Sequence, residues 1–283
     1  MNAKRRIFDF LFRLVSGLAT LIIAALLAAI LWSVTEKGFR TVDWEFVSKV
    51  SEGDFYLGGA GGIADAIWGS FYLGVGATFL ALLMSIPTVL YMRVYADGSR
   101  FADFIRSSLD VLQGVPSIVF GIFGFLIMVK LHLKASLLAA IITVALLELP
   151  ILVRAIDEVA RIVPRELDDT AYVLGSTKFE AAFRVIIKQI LPGVATASLL
   201  AFGRGVGDAA AVLFTAGFTS GITLDPRQQV PTLPLEIFNL YNSPVEAVQN
   251  KAYGAALVLV ILVLSVSIVS RVLSARLSKH VIN

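Results

Sequence analysis

Six long apolar segments restrict the folds open to this 283-residue chain more than any other feature. Each is about 20 residues long, and a helix of that length crosses the hydrocarbon core of a bilayer. Hydrophobic residues make up 57% of the chain and charged residues only 16%, which excludes a soluble domain. The sequence therefore predicts an all-α, polytopic membrane protein with six transmembrane helices. The expected spans are Leu14–Val34, Ile67–Met92, Ser107–Val129, Ala135–Val153, Ile190–Leu213 and Tyr253–Ser270.

The first span follows Lys4, Arg5 and Arg6, an arrangement that secretory signals share. The 21 residues of Leu14–Val34 are nevertheless longer than the apolar core of a signal. Residues 1–60 are therefore expected to form an uncleaved anchor helix and an external loop.

Basic residues are unevenly distributed over the segments between the spans. If the N-terminus is cytoplasmic, the inside segments hold 16 Lys or Arg and the outside segments hold 7. Cytoplasmic segments of membrane proteins carry this excess, so both termini are predicted to be cytoplasmic. The net charge of +3 then reflects topology rather than binding to nucleic acid.

Several kinds of chemistry are disfavoured by the residues that the chain contains. It has no cysteine and only two histidines, His132 and His280, so we expect no metal site, cofactor or catalytic residue. The glycines between Gly58 and Gly62 are not followed by Gly-Lys-Ser/Thr, which argues against a phosphate-binding loop.

A polar segment, Glu166–Gly193, interrupts the apolar pattern. It predicts a short helix that ends at Gly175 and a second, amphipathic helix that begins with a capping box of Thr177 and Glu180. Pro192 is expected to mark the next change of direction. The whole cytoplasmic loop is expected to cover residues 154–189.

Four charged residues fall inside the expected spans. Asp110 and Glu148 are close to the expected cytoplasmic boundary and are given no role. Arg204 is near mid-bilayer, where a charged side chain requires a partner or a wet cavity. Asp208, four residues later on the same expected helix, could pair with it. A structural ion pair and an anion-binding site fit these residues equally well.

The polar segment resembles the cytoplasmic coupling loop of ABC importer permeases, which docks onto an ATPase subunit. The family pattern of Glu-Ala-Ala, glycine and Ile-x-Leu-Pro corresponds here to Asp169-Thr170-Ala171, Gly175 and Ile190-Leu191-Pro192. Asp replaces the usual Glu, and Thr replaces the first Ala.

Other segments resemble the phosphate-specific branch of these permeases and its A-type (PstA) subunits. The likeness extends over nearly the whole chain from about residue 60. It is carried by QGVPSIVFGIFGF from Gln113, LPILVRAIDEVARIVPREL from Leu149, GRGVGDAAAVLFTAG from Gly203, and the segments GGIADAIWGS and PTLPLEIFNLYN.

The resemblance implies a type I ABC importer permease fold over residues 61–283, in the cytoplasmic (inner) membrane of a prokaryote. It implies four kinds of partner: a second, PstC-like permease, a dimer of ATP-binding subunits, an external phosphate-binding protein and phosphate itself. The chain would be a transport subunit, with ATP hydrolysed by its partner. Residues of the phosphate pathway would be Arg204, Asp208, Gln113 and Ser117, and residues that couple to the ATPase would be Asp169, Ala171 and Gly175.

Three alternatives remain open from the sequence. The coupling loop is shared with permeases for sulfate, molybdate and other oxyanions. An ion channel or ion-coupled carrier would also contain intramembrane charges, but it would not need the coupling loop. A membrane enzyme is the third alternative.

Overall fold

Every regular element that the structure describes is a helix. A computed structural model describes residues 3–51 and 53–277; residues 1–2 and 278–283, with both chain ends and His280, lie outside the described residues. A 3₁₀ turn covers Gly53–Leu57 and a π-helical turn covers Ala181–Ile186. The α-helices are α1 Ala3–Phe39, α2 Trp44–Ser48, α3 Ala64–Val94, α4 Arg100–Gln113, α5 Ser117–Lys130, α6 Leu137–Ile162, α7 Glu166–Val173, α8 Lys178–Glu180, α9 Ile187–Gly207, α10 Leu233–Tyr241 and α11 Glu246–Leu277.

The number of membrane spans agrees with the sequence prediction. Five continuous helical segments within the described residues are long and apolar enough to cross a bilayer, and the pair α4–α5 brings the total to six if it is taken as one span. This confirms the all-α, polytopic class.

The third expected span, Ser107–Val129, is wrong as a single helix. The axes of α4 and α5 differ in direction by 99° across the break at 114–116. Pro116 has no N–H to donate, and its ring disfavours a helical conformation at Val115. The chain therefore leaves the helix after Gln113 and begins a new one at Ser117.

The fifth expected span differs at both ends. Helical structure continues without interruption from Lys178 to Gly207, so no helix ends at Pro192. The π-helical turn Ala181–Ile186 precedes the proline within the same span. Beyond Gly207 the backbone is irregular, so residues 208–213 are not helical as expected.

The centre of the bundle is formed by α3, α6 and α9, which pack against one another. Small residues allow the close approach. A Cβ atom at Gly74 of α3 would lie 2.4 Å from Cγ2 of Val206, and one at Gly193 of α9 would lie 2.6 Å from Cγ2 of Val159. The helix α1, by contrast, packs mainly against α11 and leaves its apolar side chains exposed.

The helix α6 extends to Ile162, so residues 154–162 of the expected cytoplasmic loop are helical. The short helix α10 lies between Pro231 and Pro244. The helices α7 and α10 lie towards opposite ends of α3, because α7 contacts Arg93 in the last turn of α3 whereas α10 packs near its first turns.

Two buried carboxylates accept hydrogen bonds from neighbouring segments at the α10 end of the bundle. Asp65 accepts hydrogen bonds from the backbone N–H groups of Ser51 and Gly221, at 3.3 and 3.0 Å. Glu236 is 1% exposed and accepts a hydrogen bond of 3.2 Å from the hydroxyl of Tyr56. Burial, and then the charge of Asp65, raise the pKa of Glu236 to about 7.

We expect Glu236→Gln to remove a pH dependence of stability. Because the pKa of Glu236 is raised from 4.5 to about 7, the folded protein binds the proton more tightly than the unfolded chain does. The favourable contribution is complete below pH 4.5 and is lost as the pH rises through about 7, at a cost of about 3 kcal/mol. The thermal midpoint of the variant in detergent, relative to the native protein, should therefore rise between pH 5 and pH 8. Glu246→Gln, at an exposed site, is the control; the same pH trend in both variants would contradict the assignment.

Candidate functional site

Two of the predicted pathway residues line one cavity inside the bundle. Gln113, the last residue of α4, and Arg204, in the last turn of α9, face a cavity of about 70 Å³. The amide Nε2 of Gln113 donates a hydrogen bond of 3.1 Å to the carbonyl oxygen of Pro150 in α6. Three interrupted or proline-containing helices therefore meet at this point. The other lining residues are Leu112, Val115, Leu147 and Ile151.

The guanidinium of Arg204 is exposed and, within the part of the chain that the structure describes, makes no ion pair or hydrogen bond. Its position in the last turn of α9 is favourable, because the negative end of the helix dipole lies there. The five N–H donors of the guanidinium remain available to a ligand. A planar array of donors of this kind matches the oxygens of an oxyanion.

The expected ion pair between Arg204 and Asp208 is not formed. Asp208 does not share a helix face with Arg204, because α9 ends at Gly207 and Asp208 has extended backbone angles, φ −87° and ψ 108°. Its Oδ1 instead accepts a hydrogen bond of 2.8 Å from the N–H of Ala211. Asp208 therefore stabilises the turn that follows the helix.

The irregular segment after Gly207 is enclosed by other helices. Ala211, Val212, Thr215 and Ala216 are fully buried. A Cβ atom at Gly121 of α5 would lie 2.7 Å from the carbonyl oxygen of Ala210, so only glycine allows this approach. Irregular backbone at membrane depth is stable only when it is packed in protein or lines a wet cavity, and such breaks mark substrate sites in transporters.

Ser117, the remaining predicted pathway residue, begins α5 and is half-buried. It is four residues after Gln113, on the other side of the break, and does not line the cavity. Its role in the pathway stays a prediction.

Glu148 is the residue that the sequence reasoning misjudged. It was expected near the membrane boundary, but α6 extends to Ile162 and Glu148 is close to the middle of that helix. Its side chain is fully buried, and neither carboxyl oxygen has a hydrogen-bond partner in the described structure. The sequence prediction ends this span at Val153, which puts Glu148 near the membrane boundary. A carboxylate inside an apolar span is the signal that marks Glu148 as a candidate functional residue.

The predicted coupling residues lie on α7 and in the turn after it. Asp169 is exposed, Ala171 is 6% exposed and packs inward, and Gly175 has φ +84°, a left-handed conformation that favours glycine. The N–H of Gly175 donates to the carbonyl of Tyr172 at 2.9 Å. The expected capping box of Thr177 and Glu180 is confirmed.

The outer surface of this region is apolar. Exposed side chains of Val173, Leu174 and Phe179 project from α7 and from the start of the following helix, with exposures of 87%, 80% and 61%. Large apolar side chains at the end of a bundle, outside the spans, mark a surface for protein contacts.

A buried ion pair joins α7 to the membrane helices. The guanidinium of Arg93, in the last turn of α3, lies 2.9 Å from Oδ2 of Asp168 in α7. It also donates to the carbonyl oxygens of Ala160 and Val163, both at 3.3 Å, at the end of α6. Burial raises the pKa of Asp168, while the positive charge of Arg93 opposes that rise. One arginine therefore links α3, α6 and α7.

A second ion pair joins α4 to α6 at the same end. Asp157 is 4% exposed and accepts from Arg106 with both oxygens, at 2.9 and 3.2 Å. Such bidentate geometry fixes orientation as well as distance. Displacement of α7 would reach α3 and α6 through Arg93, and α4 through Asp157.

Fold and site together define the class: a membrane permease with broken helices at a polar internal site and a short exposed helix outside the membrane. A profile described as "Binding-protein-dependent transport system inner membrane component" matches residues 95–283. The chain belongs to this family of ABC importer permeases, whose members are transport subunits rather than enzymes.

Individual relatives agree with this assignment. The chain is 30% identical to the probable ABC transporter permease YqgI of Bacillus subtilis, over 98% of both chains. It is 32% identical to the phosphate transport system permease PstA of Yersinia pestis, over 94% of this chain and 90% of the relative. Among solved structures, a bacterial alginate ABC transporter matches with a TM-score of 0.64 and 14% identity over 99% of both chains, which shows the shared fold.

We expect Asp168→Asn to destabilise the protein more than removal of an exposed ion pair does. The substitution leaves the buried guanidinium of Arg93 without its counter-charge, at a cost of about 3 kcal/mol. Asp97→Asn is the control, because its partner Arg165 is 75% exposed and such a pair contributes less than about 1 kcal/mol. Thermal unfolding in detergent compares the two variants. Equal decreases in Tm would contradict the role assigned to Arg93.

Proposed function

We propose that the chain is one of two permease subunits of an ATP-driven importer of inorganic phosphate. The observation that carries the proposal is the free guanidinium of Arg204, which faces a cavity where broken helices meet inside the bundle. The relatives described as phosphate transport system permeases support phosphate as the substrate.

The chemistry of the cavity fits phosphate. Arg204 supplies charge-assisted donors for the phosphate oxygens, and the side-chain oxygen of Gln113 can accept a proton-bearing phosphate oxygen. The cavity of about 70 Å³ has room for about two water molecules. An anion can contact the exposed guanidinium of Arg204, but phosphate fits fully between α4, α6 and α9 only when one of these helices moves. A single guanidinium gives a weak site, which suits passage because a tightly held anion would not leave.

The proposed orientation places α7 in the cytoplasm and α10 on the outer side of the cytoplasmic membrane. The excess of Lys and Arg in the segments that include α7 supports it. An ATP-binding subunit would then dock on the apolar surface of Val173, Leu174 and Phe179, and an external phosphate-binding protein would dock at the opposite end. A second, PstC-like permease would complete the pathway.

Coupling would follow the ion pairs at the α7 end. Closure of the two ATPase subunits moves α7, and Arg93 transmits that movement to α3 and α6 because it contacts both. The cavity lies between α4, α6 and α9, so a shift of α6 changes its width.

We expect Arg204→Gln to lower phosphate uptake by about tenfold or more, since charge-assisted hydrogen bonds to the anion are lost. Uptake of labelled phosphate is measured in proteoliposomes that contain the whole complex, and assembly is measured separately. Arg40→Gln, an exposed arginine paired with Glu36, is the control. Normal uptake by the Arg204 variant would refute the anion site, and loss of assembly alone would indicate a structural role.

The same assay separates the alternatives. Sulfate and molybdate are tested at a concentration at which unrelated anions do not affect phosphate uptake. Inhibition of phosphate uptake by either of them would indicate another oxyanion as substrate. Uptake without ATP would indicate an ion-coupled carrier or a channel.

Docking on α7 is tested by crosslinking, which the absence of native cysteine makes simple. A cysteine at Val173, 87% exposed, should crosslink to the ATP-binding subunit in the assembled complex. A cysteine at Ala171, 6% exposed and on the inward face of the same helix, should not. Equal crosslinking from both positions would contradict the proposed docking face.

A further inference from the structure

The buried carboxyl of Glu148 lies beside the cavity and has no established role. It projects from α6 towards α9, where a Cβ atom at Gly205 would lie 2.1 Å from its Oε1. Only the missing side chain at Gly205 makes room for it. The hydroxyl of Thr78 on α3 faces the carboxyl without meeting the geometry of a hydrogen bond.

Arg204 is one residue away from the glycine against which Glu148 packs. Gly205, on which the carboxyl rests, follows Arg204 directly in α9. On α6, Leu147 and Ile151 precede and follow Glu148, and both line the cavity that Arg204 faces. A rotation of α6 that carried Glu148 towards the side of Leu147 and Ile151 would bring its carboxyl to the cavity.

Among residues 3–51 and 53–277, neither Glu148 nor Arg204 has a partner of opposite charge. Asp208 is bonded to the N–H of Ala211, and it makes no ion pair with Arg204. Arg154, the next cation along α6 from Glu148, pairs with Asp110 at 3.2 Å. Glu148 is thus buried and Arg204 exposed on neighbouring helices, and neither makes an ion pair within the described residues.

Opposite charges attract strongly where water is excluded. An anion and a carboxylate both bind the same guanidinium donors, so they compete for it. A carboxylate able to reach Arg204 would therefore promote release of the anion.

We propose that Glu148 is the intramembrane counter-ion of Arg204. In the conformation described, the carboxyl rests against Gly205 and Arg204 is free to accept an anion. In the releasing conformation, Glu148 reaches the guanidinium and displaces the anion. This inference rests on the proposed contact between Arg204 and the transported anion, and it assigns Glu148 as a positioning residue that acts through Arg204.

The first test is Glu148→Gln in the whole complex in proteoliposomes. Because the amide does not compete for Arg204, the anion is held longer, so both KM and the maximal rate of phosphate uptake should fall, the rate by about tenfold. A packing defect would lower the rate through fewer assembled complexes and leave KM unchanged. An unchanged or raised KM overturns the proposal.

The second test changes KM in the opposite direction. Gly205→Ala places a methyl group where the carboxyl rests and 2.9 Å from Cγ1 of Val144. The flexible end of Glu148 must move, and its displacement towards the cavity should raise KM. Gly203→Ala is the matched control on the same helix, because its Cβ atom would meet only Cγ1 of Val263 at 3.8 Å. Equal KM values for the two alanine variants overturn the proposal, and this comparison decides the matter if Glu148→Gln does not assemble.

Failure of the proposed function has a different result. If the native complex takes up another oxyanion but not phosphate, phosphate is wrong as the substrate. The native complex and the Glu148→Gln, Gly205→Ala and Gly203→Ala variants are then compared with that oxyanion. If Arg204→Gln has normal uptake while Glu148→Gln changes KM, the anion site is not at Arg204 and the proposal for Glu148 as its counter-ion is overturned.

Discussion

Backbone hydrogen bonding inside a bilayer is the constraint on which this structure depends. A chain that leaves a helix in lipid exposes N–H and C=O groups that nothing there can satisfy. This chain leaves its helices twice within apolar segments, at 114–116 and after Gly207. Side chains at both breaks bond to backbone groups: Asp208 accepts from the N–H of Ala211, and Gln113 donates to the carbonyl oxygen of Pro150.

The two breaks also create the site. A continuous third helix would not present Gln113 at its end beside Pro150, and a longer fifth helix would not leave Arg204 in a final turn. Glycines permit the contacts that close the structure around them. Gly121 admits the backbone of Ala210, and Gly205 admits the carboxyl of Glu148. The space that glycines leave, and the hydrogen bonds available to backbone groups, therefore determine where charged side chains lie in this bundle.

At the α7 end of the bundle, hydrogen bonds and ion pairs connect α7 to the membrane helices. Arg93 bonds to a carboxylate on α7 and to two carbonyl groups at the end of α6, so α7 cannot move independently of the membrane helices. The second pair, between Arg106 and Asp157, extends the connection to α4, whose last residue lines the cavity. A displacement of α7 would therefore reach α6 through Arg93, and α4 through α6 and the pair of Asp157 with Arg106.

The class, the number of spans and the two helices around Gly175 follow from the sequence alone, because apolar length, glycine positions and capping residues act locally. The sequence also predicted Gln113 and Arg204 as pathway residues, and the structure places both at one cavity. It placed Glu148 wrongly and predicted a pair of Arg204 with Asp208 that does not form. These two points required the tertiary structure. Where a helix ends inside a bundle depends on which neighbours satisfy its backbone, and which charges meet depends on contacts between helices distant in sequence.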